Sequence, residues 1–245
     1  MIAPADLLGL CALVFVAAVL YSMVWHAGAS GYLAAMALYG VAPAVMKPTA
    51  LTLNILVAAV GTVQFVRAGR FTWSLFWPFA LGSVPLAFLG GSLGLPIPLY
   101  KRLLALVLLY AAYRLFRAAP AGGEPRSARL PVAVGSGAAI GFLSGLTGVG
   151  GGIFLSPLML IMGWADARRT AAVSVAFILV NSLAGLLGHL SSVRHLPREI
   201  GIFAGVALVG GLLGSTLGSR RLPNPVLRRM LAVVLVVAAA KLFFV

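Results

Sequence analysis

The stretch Gly141–Pro157 reads Gly-Phe-Leu-Ser-Gly-Leu-Thr-Gly-Val-Gly-Gly-Gly-Ile-Phe-Leu-Ser-Pro, and it decides how the rest of the chain is understood. Six glycines fall in its first twelve residues. Each costs a helix ~1 kcal/mol relative to alanine, so no unbroken helix runs through it. The apolar run behind it, 153–164, has only 12 residues. As a helix it would be ~18 Å long, against a hydrocarbon core of ~30 Å. The stretch therefore predicts a broken hairpin: one helix descends, the chain unwinds over Thr147–Gly152, and a short helix returns.

That reading presumes a membrane, and the composition supplies one. Apolar residues make up 62% of 245 positions and charged residues 9%, where a soluble domain carries roughly 25%. The only acids are Asp6, Glu124, Asp166 and Glu199, against 18 Lys and Arg. The cations lie in short clusters between apolar runs and form no basic stripe. They read as topological anchors, not as a nucleic-acid surface. The single cysteine, Cys11, sits in the first apolar run and excludes a disulfide framework within one chain. The first run, 7–25, follows only Asp6 and lacks a basic leader, so it is expected to stay as the first helix.

Apolar runs occupy about 7–25, 28–46, 49–66, 74–94, 102–118, 130–146, 153–164, 170–190, 200–218 and 226–244. The expected fold is an all-α polytopic bundle. Its halves repeat. Leu95-Pro-Ile-Pro-Leu-Tyr-Lys-Arg102 matches Leu222-Pro-Asn-Pro-Val-Leu-Arg-Arg229, and Gly90-Gly-Ser-Leu-Gly94 matches Gly214-Ser-Thr-Leu-Gly218. Gly31 to Ala50 lines up without gaps against Gly152 to Ala171, which pairs Lys47 with Arg168 and His26 with Thr147. A first membrane repeat over 1–118, a loop over 119–129 and a second repeat over 130–245 are expected. Five segments per repeat make the two repeats inverted. Placing the 119–129 loop in the cytoplasm collects 12 basic residues on that side and six on the other, with both termini outside. Inverted repeats with broken helices are a transporter architecture.

The unwound glycines suggest a binding site, since a helix N-terminus offers free N–H groups to an anion and glycine lets a ligand approach the backbone. Thr147, Gly148, Gly150, Gly151 and Gly152 are the candidates there, with Gly31 and His26 beside the related turn of the first repeat. For Gly141 and Gly145, four apart on one helix face, close helix packing is the expectation. Ser174 and Asn181 in one span, and Asn54 in the related one, line a solute path or make interhelical hydrogen bonds; both readings stand. His26 is either a proton-coupling group or an interfacial anchor. His189 and His195 read as interfacial, and Lys47, like Arg168 and Arg169, either as an anchor at a membrane face or as a cation gathering anions at the mouth.

The Gly-rich turn followed by Pro157, the two-repeat layout, Thr170-Ala-Ala-Val-Ser174 before Asn181-Ser182, and Met46-Lys-Pro-Thr-Ala-Leu-Thr-Leu-Asn-Ile-Leu56 together resemble the TauE/SafE sulfite exporter family. The resemblance covers nearly the whole chain. It implies a multi-pass protein of the bacterial inner membrane that moves a small anion, such as sulfite or a sulfonate. Expected partners are that small anionic solute and the lipid bilayer, with no nucleic acid and no cofactor; a homo-oligomer is compatible with the sequence. The first repeat departs from the family's commoner pattern, with Ala27-Gly-Ala-Ser-Gly31 where the second has Gly148-Val-Gly-Gly-Gly152. An anion channel and an intramembrane enzyme are the competing classes. The chain has no Walker A loop, no H-E-x-x-H and no paired intramembrane carboxylates to support a pump or an enzyme.

Overall fold

A computed structural model describes residues 4–23, 28–117, 128–189, 197, 199–220 and 225–244. All regular structure among them is helical: α1 (Pro4–Met23), α2 (Ala29–Leu38), α3 (Pro43–Arg67), α4 (Trp73–Ser92), α5 (Ile97–Phe116), α6 (Leu130–Thr147), α7 (Gly152–Ile161), α8 (Ala167–Gly188), α9 (Ile200–Arg220) and α10 (Pro225–Phe244). Six of these, α1, α3, α4, α6, α8 and α9, are long and apolar enough to cross a membrane. The 20-residue helices α5 and α10 carry more charge, with Lys101, Arg102 and Arg114 on α5. The protein is a multi-pass helical membrane protein.

The apolar run over 28–46, which the sequence leaves open as a full span or a re-entrant segment, is broken in the structure. That run folds as the ten-residue α2, and α3 begins at Pro43. Ten residues make ~15 Å of helix, too short to cross. The break comes from Gly40, whose φ of 69° suits the left-handed stop that follows a helix. Val41 N–H donates to Met36 O and Gly40 N–H to Ala37 O, which closes the helix end. The other short helix, α7, ends the same way: Gly163 has φ 66°, Trp164 N–H donates to Met159 O, and Gly163 N–H to Leu160 O.

The two short helices also start alike, each on a left-handed glycine, Gly28 before α2 and Gly151 before α7. Their ends therefore pair Gly28 with Gly151 and Gly40 with Gly163. This shifts the register away from the ungapped match of Gly31 with Gly152. Sequence identity among apolar helices is a poor guide to register, because many apolar residues fit one face. Positive-φ glycines mark it better, because other residues are strained there.

Packing follows the same correspondence. Helices α4 and α6 run parallel: a β-carbon at Gly82 would stand 2.1 Å from Val134 O, and one at Gly90 2.4 Å from Phe142 O. Helices α9 and α1 run parallel too, with Gly210 against Phe15 O at 2.9 Å and Gly214 against Val19 O at 2.2 Å. Between them, α3 and α8 cross antiparallel: Leu51 lies by Gly185, Asn54 by Ser182 and Gly61 by Val175. β-carbons added at Gly141 and Gly145 would stand 2.3 and 2.1 Å from the Ser83 and Ala87 carbonyl oxygens, so both glycines serve close packing of α6 on α4.

Candidate functional site

At the centre, the break between α6 and α7 meets the crossing of α3 and α8. Three glycines make the break: Gly148, Gly150 and Gly151, with φ of 83°, 82° and 83°. A left-handed backbone costs other residues ~1–2 kcal/mol each, which is why the turn is written in glycine. Gly148 N–H still donates to Ser144 O, ending α6. Gly151 then opens α7 with no side-chain cap. Phe154 and Leu155 N–H both donate to Gly151 O, while the N–H groups of Gly152 and Ile153 find no acceptor among the described residues. These are the free donors and positive dipole end of a helix start.

Protein side chains already approach the glycine face. A β-carbon at Gly150 would stand 2.6 Å from Asn54 Nδ2 and 3.1 Å from Ser182 Oγ. Gly151 faces Phe177 and Ile140, and Gly152 faces Ile178. Asn54 is fully buried. Its amide nitrogen donates to Val149 O and to Ser182 Oγ, both at a long 3.4 Å, and its Oδ1 has no partner among the described residues. Such loosely held groups are available for rearrangement, because an unsatisfied buried oxygen costs ~1–3 kcal/mol.

The other predicted residues are distributed around this crossing. Asn181 is buried, donates from Nδ2 to Phe177 O at 2.8 Å, and its Oδ1 has no partner among the described residues. Ser174 accepts from Ser156 Oγ at 2.8 Å, one turn into α7. Thr147 donates from Oγ1 to Leu143 O, and its carbonyl accepts from Tyr100 OH at 3.3 Å. Gly31 is not at a turn: it lies inside α2, with Ala17 Cβ 2.7 Å from where its own β-carbon would be, so Gly28 is the turn glycine of that half. His26 and His195 fall outside the described residues.

Lys47 is the residue that sequence reasoning placed wrongly. Read as an anchor at a membrane face, it is instead 4% exposed, one turn into α3. Its stem lies on Gly148, and Nζ donates to Gly91 O at 3.2 Å and to Gly90 O at 3.5 Å. Those carbonyls end α4, where a helix leaves acceptors free. The one salt bridge among the described residues joins Arg169 to Asp166, so no carboxylate neutralises Lys47 there. A signal existed: only Lys47 and Pro48 separate the apolar runs 28–46 and 49–66, too few residues for a loop at a membrane face. His189 is likewise more than interfacial. It is half-buried, and its Nδ1 lies 3.1 Å from Gly91 O, so that nitrogen carries the hydrogen.

Among the described residues no three His, Cys, Asp or Glu side chains gather in a way that could hold a metal ion. The site thus offers backbone and ammonium donors, amide and hydroxyl groups, and one positive charge.

The chain matches the family described as Sulfite exporter TauE/SafE over residues 10–242. It is 41% identical to the "Probable membrane transporter protein y4hK" of Sinorhizobium fredii over 98% of this chain and 99% of that protein. A "Probable membrane transporter protein" of Xylella fastidiosa is 37% identical over 36% of this chain and 34% of its own length. The "Probable membrane transporter protein YunE" of Bacillus subtilis is 27% identical over 50% of this chain and 45% of its own. No solved structure matches the chain.

Proposed function

Because this chain belongs to the sulfite exporter TauE/SafE family, and is a membrane transporter like its relatives, we propose that its solute is a small anion held at the α6–α7 break. One observation carries this reading: Lys47 is buried with its stem against Gly148 and its ammonium on the carbonyls that end α4, and no carboxylate lies beside it among the described residues. Burying an ion costs several kcal/mol unless something compensates. Two helix-end carbonyls compensate in part, and an anion would complete it.

In this proposal the anion meets Lys47, the open N–H groups at the start of α7, and the amide of Asn54, with Ser174 and Asn181 behind. Gly148, Gly150, Gly151 and Gly152 give the backbone its shape, and Thr147 orients the end of α6. The antiparallel crossing of α3 and α8 supports inverted repeats over 1–118 and 130–245, which would exchange access by rearranging about this crossing. An inside-negative potential drives an anion outward, so export is the proposed direction. Sulfite and small sulfonates fit as compact anions with several acceptor oxygens.

The test is flux into proteoliposomes with a panel of sulfite, sulfate, thiosulfate, small sulfonates and small carboxylates. Saturable flux of at least one anion, accelerated by a potential that drives negative charge, is expected. Flux of none of them above protein-free liposomes would overturn the reading.

A further inference from the structure

An open-sided pocket, with about 30 Å³ of room for water-sized groups, lies away from the glycine break, between α1, α3, α8 and α9. Ser22, Gly61, Gln64 and Ser215 line it together with Val57 and Val175. Its counterpart in the other half is filled. The pair Gly61–Val175 corresponds to Gly185–Leu51, since each joins a glycine of one crossing helix to a branched residue of the other. The contact of Gly214 with Val19 O and Ser22 corresponds to that of Gly90 with Phe142 O and Gly145. By these correspondences Ser22 stands where the other half has Gly145, Ser215 where it has Gly91, and Gln64 where it has Gly188.

The glycine side is sealed by backbone. A β-carbon at Gly145 would lie 2.1 Å from Ala87 O, one at Gly91 2.3 Å from Gly185 O, and one at Gly188 2.1 Å from Phe88 O. Lys47 and His189 both reach Gly91 O at the same seam. On the other side, two serines and a glutamine stand in place of three glycines; α1 and α9 still close at Gly214, and the gap lies mainly between α3 and α9. Ser22 is 6% exposed, and its Oγ has no partner among the described residues. A buried hydroxyl left unpaired in a cavity points to a polar occupant.

The charge at this end favours an anion. The antiparallel crossing brings the C-terminal end of α3 beside the N-terminal end of α8. Exposed Arg67 and Arg70 follow the first, and exposed Arg168 and Arg169 begin the second. The acid here, Asp166, pairs with Arg169 and caps α8 through the N–H groups of Arg168 and Arg169. The cavity ends at Val57, one turn from Asn54.

We propose that this cavity is the vestibule through which a small oxyanion reaches the crossing of α3 and α8, from the side bearing Arg67, Arg70 and Arg168. The glycine seam, pinned by Lys47, closes the opposite side. The inference rests on the anion reading above, but its test does not depend on flux. In the full chain with Cys11→Ala, single cysteines replace Ser22, Ser215 or Ser92, the last being exposed at the far end of the glycine seam. Each is treated with an anionic or a cationic methanethiosulfonate, in intact cells and in inside-out vesicles.

Modification of Ser22→Cys and Ser215→Cys is expected only from the side of the 68–72 loop. The anionic reagent should react about tenfold faster than the cationic one, after correction for their rates with a free thiol. Ser92→Cys should react only from the other side. Reaction of Ser22→Cys and Ser215→Cys solely with a membrane-soluble maleimide would make the cavity a lipid-facing groove and overturn the proposal. So would faster reaction with the cationic reagent, or reaction of Ser92→Cys from the same side as Ser22→Cys. Absent anion flux with side-selective and charge-selective labelling would sink the solute assignment and leave the vestibule; flux with lipid-only labelling would do the reverse.

Discussion

Lys47 runs directly across Gly148: a β-carbon on Gly148 would stand 3.1 Å from Lys47 Cγ and 3.3 Å from both its Cα and its carbonyl oxygen. The contact joins the first half of the chain to the glycine break of the second. It lays the stem of the buried lysine where the backbone is most irregular and carries its ammonium to the end of α4. Gly148 is also left-handed, with φ 83°, so two separate constraints hold it as glycine.

Gly148→Ala should therefore cost more than backbone strain. Left-handed alanine costs ~1–2 kcal/mol, and the displaced Lys47 stem adds to that. Gly163 is a control, since its φ is 66° but nothing lies within 4 Å of its β-carbon position. Unfolding temperatures of the purified protein in detergent should fall further for Gly148→Ala than for Gly163→Ala. Equal losses would mean that the Lys47 contact yields freely.

Lys47→Met should separate function from stability. Methionine keeps most of the stem and removes a desolvated charge, so the unfolding temperature should hold or rise. Anion flux should fall by about tenfold or more, because a buried charge paired to a solute contributes ~1.5–3 kcal/mol. Flux at the parental rate would remove the ammonium from the solute's path.

Asn54 tests the sign of the solute's charge. Asn54→Ala should raise KM about fivefold to tenfold, the loss of one hydrogen bond of ~1 kcal/mol. Asn54→Asp places a carboxylate beside Gly150 and should abolish anion flux by like-charge repulsion. Activity of the aspartate variant equal to that of the alanine variant would argue that no anion comes near this position.

The α4–α6 seam should tolerate no side chain. Gly145→Val drives a β-carbon to 2.1 Å from the Ala87 carbonyl, and a loss above ~4 kcal/mol with poor folded yield is expected. Gly135→Ala, on the same helix but with nothing within 4 Å, should be neutral or raise stability by up to ~1 kcal/mol through helix propensity. Yield and monodispersity after detergent extraction, followed by thermal unfolding, distinguish the two.

Much of this protein was decided by its sequence alone. Scarce charge and long apolar runs dictate a bundle of membrane helices, because a backbone in hydrocarbon must satisfy itself within each helix. Six glycines in twelve residues dictate the break after Thr147, because glycine weakens a helix wherever it stands. The packing role of Gly141 and Gly145 follows from their spacing of four on one helix face. These features are local, so they are written where they act.

What depends on distant partners had to come from the tertiary structure. Lys47 reads as a loop cation until the C-terminal carbonyls of α4 close around it, forty-odd residues away. Gly31 reads as the turn glycine of the first half until the backbone shows that Gly28 carries the positive φ. Asn54 meets Ser182 across 128 positions of chain, and no periodicity along either helix announces that pairing. The cavity beside Ser22 and the glycine seam opposite it differ by a few small side chains, and only packing decides which one closes. The register of one apolar helix against another is set by which backbones can approach, and that is a property of pairs of surfaces.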